Sequence, residues 1–257
     1  MQIKTALEVP KVKLVQLLKA TALNGGGAYY IPPVNPAKNH ACLVCHIDTV
    51  WDHIRNGENA RIYHDSTAGV YWSPDGLGAD DRAGLWACAE LKRKTGCAVL
   101  LCDGEELGGW GARDAVKHFF NELILHRYFL EIDRKGKGEF VCYNNEPKKF
   151  RNFIKAFGFK EHSGSFSDIS IICSSLKIPG ANLSAGYHGE HTRSEFLVMK
   201  DLEYTIRQAE KIIKATPPDS WGEWKKERGV KFFEYDKKMK YTPLEYTYDP
   251  LAGWEDV

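Results

Sequence analysis

The sequence predicts an α/β fold, a mostly parallel mixed β-sheet with helices on both faces. Three observations carry this expectation. Residues 41–45 and 97–102 are apolar runs, the mark of strands buried on both sides, and 128–132 reads as a third buried strand despite Glu131. Segments with helical patterning alternate with them, as in a sheet covered on both faces. The runs lead into His46, Glu105–Glu106 and Asp133, and ligand sites in such sheets lie beyond the carboxyl ends of the strands.

Taken in order, residues 6–22 place Val12, Leu14, Val15, Leu17 and Leu18 largely on one helical face, with Pro10 suited to a first turn. Residues 23–40 are rich in Gly, Asn and Pro and read as loop. The run 41–45 is a strand ending at His46, and the aromatic and β-branched residues of 56–73 suggest a hairpin. Helices are expected at 83–94, directly after Asp80 and Asp81, and at 111–122. Beyond the strand 128–132, residues 140–143 read as a strand, 147–157 as a helix, 161–167 as a loop and 168–175 as helical. Residues 178–183 form a strand that leads into a loop over 184–196, and 200–215 form a final amphipathic helix. Pro217 and Pro218 end that helix. The organisation expected is one catalytic domain over 1–215, with 216–257 an extension packed on it or partly mobile.

Composition narrows the class. At 257 residues and 43% hydrophobic, the chain suffices for one sizeable core. A net charge of +1 gives no reason to expect nucleic acid or an acidic membrane surface as a partner. The seven cysteines are odd in number and mostly embedded in apolar stretches, which suits buried reduced thiols rather than a disulfide framework. Without an apolar leader or a run of membrane-spanning length, the expected location is the cytoplasm.

The chemistry sits in five short segments. In a strand, residues two apart point to the same side, so the Asp48 carboxylate is placed to receive the free N–H of the His46 ring. Asp80 and Asp81 stand at a Gly-rich turn before a helix, where acids also serve as ordinary caps. Glu105 and Glu106 follow a buried strand; adjacent carboxylates there repel unless a cation or a proton is shared. Asp133 ends another strand beside Arg134, and taken alone reads as a salt-bridge partner. Tyr187-His188-Gly-Glu-His191 offers two neutral-nitrogen ligands in a turn. His53, His64, His118, His126 and His162 read as surface or packing residues. Each segment has a structural explanation; all five in this order point to a two-metal hydrolase.

These segments resemble the co-catalytic di-zinc exopeptidases and deacylases, the clan of peptidase T, aminoacylase and leucyl-aminopeptidase-like zinc peptidases. The likeness spans about residues 41–215. The clan's His-x-Asp-Thr-Val motif is similar to His46-Ile47-Asp48-Thr49-Val50, and its Gly-x-Asp-Asp-(Lys/Arg)-x-Gly segment to Gly78–Gly84. The resemblance implies His46, Asp80 and Asp133 on one metal, and Asp80, Glu106 and His191 on the other. It makes Asp80 the bridge, Asp48 the orienting carboxylate, Glu105 the general base and Asp81 a bystander. His191-Thr-Arg-Ser-Glu195 fits the clan's last histidine better than His188, which remains a second candidate. His188, Asp168 and Arg193 are candidates for contact with substrate, Asp168 from a substrate-facing loop; Arg82 and Arg134 are further possible anchors. The interval between Asp133 and His191 is too short for the lid that many relatives insert there, so a lidless form is expected.

What the resemblance implies is amide hydrolysis at peptide ends, aminopeptidase-like, with deacylation of N-acyl amino acids second. Two divalent metal ions are implied, zinc first, with cobalt and manganese also suited to such ligands. His188 or Tyr187 would add a hydrogen bond to the oxyanion. The expected partner is a peptide or acylated amino acid substrate, with no nucleic acid and no membrane; a homo-oligomer stays open. Two other readings are a single-metal enzyme of the cyclase type and a catalytically silent member that binds a peptide or protein in the same cleft.

Overall fold

The computed structural model describes residues 2–11, 13, 22–38, 40–55, 58–144 and 146–222. Along the chain these form α1 (Ile3–Glu8), β1 (Leu23–Gly25), β2 (Ala28–Ile31), β3 (Ala41–His46), α2 (Asp52–Arg55), β4 (Tyr63–Asp65), β5 (Val70–Trp72), α3 (Ala79–Thr95) and β6 (Ala98–Cys102). Then come α4 (Trp110–His118), α5 (Phe120–Leu123), β7 (Tyr128–Arg134), β8 (Glu139–Val141), α6 (Lys148–Lys155) and β9 (Lys160–His162). The last are α7 (Asp168–Leu176), β10 (Gly180–Ser184), β11 (Tyr187–His188), β12 (Phe196–Val198) and α8 (Met199–Lys214).

The larger sheet has the order β1-β2-β6-β3-β7-β10-β8-β9. Its centre, β6-β3-β7-β10, is parallel throughout, while β2 and β8 join it antiparallel. Every residue of β3, β6 and β10 is buried, in keeping with the apolar runs 41–45 and 97–102, while β10 also buries Asn182 and Ser184. Alternation along β3 divides the core. Leu43 and Cys45 pack with Leu7 of α1, Leu85 of α3, Phe150 of α6 and Leu202 of α8. Cys42 and Val44 pack on the other face with Ala112 of α4, Leu123 of α5 and Ile169 of α7. All seven cysteines are free thiols and six of them are buried.

A second, antiparallel sheet has the order β11-β12-β5-β4. The 56–73 hairpin is thus half of a larger unit, completed by residues from the 184–196 segment that reads as loop. Tyr187 and Leu197 turn one face of this sheet into the core. Among the described residues, 134–190 supply β8, β9, β10 and β11 to the two sheets and α6 and α7 to the packing around them, with no lid domain inserted there.

Other differences from the sequence reading have local causes. Residues 23–31 form a hairpin, because Gly26 (φ 67°) and Gly27 make the tight turn and Tyr29 to Ile31 pair with β6. The helix α1 stops at Glu8, and Val9 is extended, as the residue before a proline must be. Lys11 and Lys13 are helical again, whereas Val12 and residues 14–21, the body of the expected 6–22 helix, lie outside the described residues. The helix read over 111–122 breaks at Phe119, whose buried ring packs against Tyr30. Residues 160–162 form β9, an edge strand with two exposed residues that offers no apolar pattern to read. Beyond α8, Trp221 is buried against Tyr128, Phe150 and Phe153, and its indole N–H donates to the Arg127 carbonyl at 2.7 Å. Residues 223–257 lie outside the described residues. No helix among the described residues is long and apolar enough to cross a membrane.

Candidate metal centre

The parallel strands deliver their carboxyl ends to one edge of the sheet. His46 is the last residue of β3, facing Cys102 at the end of β6, and Asp133 is next to last in β7. The loop after β6 adds Glu105 and Glu106, the non-helical start of α3 adds Asp80, and the turn between β11 and β12 adds His191. Donor atoms of His46, Asp80 and Asp133 lie within 4.8 Å of one another, as do those of Asp80, Glu106 and His191. Asp80 belongs to both groups through different oxygens. Its Oδ1 is 3.1 Å from His46 Nε2, and its Oδ2 is 3.1 Å from His191 Nε2. Asp133 Oδ1 lies 3.6 Å from His46 Nε2, and Glu106 Oε2 lies 3.1 Å from His191 Nε2.

The surroundings hold these side chains in place. His46 Nδ1 is 3.0 Å from the Asp48 carbonyl oxygen and 3.5 Å from its carboxylate. The Asp48 carboxylate also accepts the backbone N–H groups of Gly104, Glu105 and Glu106, at 2.8, 3.2 and 3.3 Å. Asp48 therefore anchors the two-glutamate loop as well as the imidazole, a task that strand alternation does not reveal. Asp81, expected to be a bystander, is fully buried and accepts the N–H groups of His46 and Gly84. Glu195 accepts those of Gly78 at 2.7 Å and Asp80 at 3.1 Å, tying the His191 turn to the start of α3. His191 sits at φ 61°, a left-handed conformation rare outside glycine, held by bonds of Thr192 and Glu195 within the turn.

Three other candidates lie outside the two donor groups. Asp168 opens α7 and is wholly buried, with its carboxylate beside the buried Cys102 thiol. The ring of His188 stacks on Phe196, and neither metal-ligand group includes it. Arg193 is exposed. Arg82 is buried and donates to the Val9 carbonyl, while Arg134 pairs with Glu139, so neither is a free anchor. The Tyr187 hydroxyl directs its one proton between two Asp133 acceptors, Oδ1 at 3.1 Å and the carbonyl oxygen at 3.0 Å. That places it on a carboxylate instead of on a substrate oxyanion.

The electrostatics are those of a site short of positive charge. Burial pushes the Glu105 carboxyl up to about 9 and, together with the Asp80 charge, the Glu106 carboxyl up to about 7. Burial and the charge of Asp80 raise Asp133 as well. Burial would raise Asp80 too, but hydrogen bonds with His191 and His46 outweigh it and hold this carboxyl below the usual range. His191 is raised to about 9, chiefly by Asp80, and His46 is raised because Asp133, Asp48 and Asp80 outweigh its burial. Glu106 Oε1 is buried without a partner. Clustered carboxylates, cationic imidazoles standing between them and an unmatched buried oxygen are what a divalent cation would relieve. With nitrogen and oxygen donors only, the residues present fit such an ion.

No protein-family model and no curated protein matches the sequence. Solved structures do match by fold. A tripeptidase from Staphylococcus aureus has a TM-score of 0.62 at 14% identity, covering 82% of this chain and 96% of that one. An aminopeptidase from the archaeon Desulfurococcus kamchatkensis has a TM-score of 0.61 at 13% identity, covering 84% and 94%. The aminopeptidase PepT from Bacillus cereus has a TM-score of 0.59 at 15% identity, covering 83% and 96%. This chain shares the fold of these peptidases. Within that fold, the two groups sharing Asp80 lie at the carboxyl edge of the parallel strands, where the five sequence segments meet.

Proposed function

We propose that this chain is a metal-dependent hydrolase that cleaves amide bonds at the ends of peptides, in the manner of an aminopeptidase. One observation carries the reading: the two oxygens of Asp80 serve separate three-residue donor groups, the arrangement of a carboxylate bridging two ions. His46, Asp80 and Asp133 would hold one ion, and Asp80, Glu106 and His191 the other, with zinc the first choice and cobalt or manganese also suited. Such ions supply Lewis acidity, polarising the scissile carbonyl and lowering the pKa of water toward about 7.

The remaining work falls to the chain's own residues. Glu105 takes the proton from the attacking water and returns it to the leaving amine; burial raises its carboxyl, and the charge of ions held beside it would lower it toward neutrality, where it accepts that proton. Asp48 holds the Glu105–Glu106 backbone, so the base and its neighbouring ligand keep fixed directions. Tyr187 orients Asp133, and Glu195 fixes the backbone on either side of Ala79. The 1–215 segment serves as the catalytic domain.

Elemental analysis with a screen of short peptides tests the reading. Divalent metal should co-purify, and Glu105→Gln should lower kcat by about 10²–10⁴-fold while leaving the metal content unchanged. Absence of bound metal together with hydrolysis indifferent to Glu105 would sink it.

A further inference from the structure

The smaller sheet carries a row of rings on its exposed face. Register sets Tyr63 opposite Trp72, Trp72 opposite Phe196 and Phe196 opposite His188, one residue from each of the four strands. Directly opposed residues share a face. The adjacent row, with Tyr187, Leu197 and Tyr71, turns the other way and packs on the core. Tyr63 stacks on Trp72 with centroids 4.8 Å apart and planes 19° from parallel. His188 stacks on Phe196 at 5.1 Å and 17°. Tyr63, Trp72 and Phe196 nevertheless remain 47%, 44% and 37% exposed.

This row closes the end of the sheet that feeds the metal centre. β11 ends at His188, and the turn that follows presents His191. β12 begins at Phe196, directly after the Glu195 carboxylate that holds the Gly78 and Asp80 backbone. β5 ends at Trp72 and leads into the turn before Asp80. A molecule seated on the rings thus sits beside both loops that carry candidate ligands.

The size of the surface bears on its occupant. At about 150–250 Å² per aromatic side chain, the exposed rings offer roughly 250 Å² in total. A stable interface between two copies takes about 800 Å² from each partner, so the row suits one or two ligand side chains better than a subunit. The rings are already stacked, so little freedom is lost when a further ring joins them.

We propose that Trp72 and Phe196, flanked by Tyr63 and His188, form a subsite for a ring-bearing or bulky apolar residue of the peptide substrate. Stacking holds that residue while the peptide end reaches the metal centre. The choice of a peptide as occupant rests on the hydrolase reading above.

Hydrolysis of Phe-Ala and Ala-Phe, each relative to Ala-Ala, tests the subsite. The wild-type chain should favour one of the ring-bearing peptides by about ten-fold in kcat/KM. In Trp72→Ala and Phe196→Ala that preference should fall to about two-fold or less, with the change in KM. Folded variants that keep the full preference would overturn the assignment. A titration that needs no turnover separates the subsite from the reaction: phenylalaninamide against alaninamide, followed by intrinsic fluorescence, in wild type and in Trp72→Phe. A ring-specific signal that is lost in Trp72→Phe supports the subsite; equal signals for the two amides overturn it. If no peptide is cleaved, the hydrolase reading fails while the titration still decides the subsite. A dimer in size-exclusion chromatography that Trp72→Ala converts to monomer would overturn it in favour of self-association.

Discussion

Glu105 and Glu106 are chain neighbours that point to different work. Burial dominates at Glu105, whereas at Glu106 burial combines with the charge of Asp80 and leaves one oxygen unmatched. A cation entering the centre must displace protons from such groups. The carboxyl of Glu106, raised to about 7, and the imidazole of His191, raised to about 9, are both protonated at lower pH. Apparent zinc affinity should therefore weaken as pH falls from about 9 to about 6 and strengthen as it rises, by up to about ten-fold per pH unit for each proton released. Titration calorimetry in buffers of different ionisation enthalpy reads this directly; an affinity independent of pH, with no proton release, would contradict it. At this scale the sequence made the polar residues visible but not their partners. His46 and Asp48 do come together, but β3 ends at His46, and the ring faces the Asp48 carbonyl oxygen more closely than its carboxylate. The load Asp48 carries from Gly104 to Glu106 was not legible, since it depends on where a separate loop comes to rest. Asp81 read as a bystander and Asp168 as a substrate contact for the same reason, and both are buried.

Among the elements, α3 does the most to position the centre. It starts at the Asp80 turn and packs across β7, with Gly84 at the closest approach. A Cβ on Gly84 would lie 2.2 Å from Asp81 Oδ1 and 2.3 Å from the Ile132 carbonyl oxygen. Since the Asp81 carboxylate also holds the His46 N–H, Gly84→Ala should destabilise the fold by about 1–3 kcal/mol and weaken metal binding together with it. Thermal melts with and without zinc check both effects; a variant with unchanged melting temperature and affinity would show that the contact yields freely. Strands β3, β6 and β7 were legible because burial on both faces leaves mostly apolar residues. The β1–β2 hairpin hid behind its glycines, and β9 behind the polar residues of an edge. The smaller sheet escaped notice because its halves lie far apart in sequence, and no local pattern joins residues 63–72 to 187–198.

For the whole molecule, the segment after α8 closes the core. Trp221 fills a ring cluster of Tyr128, Phe150 and Phe153 beneath the sheet, and Arg127 bonds the Pro218 carbonyl. Trp221→Ala should cost about 3–5 kcal/mol with the metal centre otherwise intact, measured by urea unfolding of the metal-loaded protein. A loss below about 1 kcal/mol would mean that the ring cluster collapses around the gap. By itself, the sequence determined the fold class, the order of the central strands along the chain and the residue types of the candidate centre. Periodicity, burial pattern and donor chemistry are local properties, and they survive in one dimension. Only the tertiary structure decided that the two oxygens of Asp80 face different histidines, that Asp168 is wholly buried, and that four rings from four strands line up beside the His191 turn. Each of these is a contact between distant segments, set by how the sheets pack and by which backbone groups the buried carboxylates must satisfy.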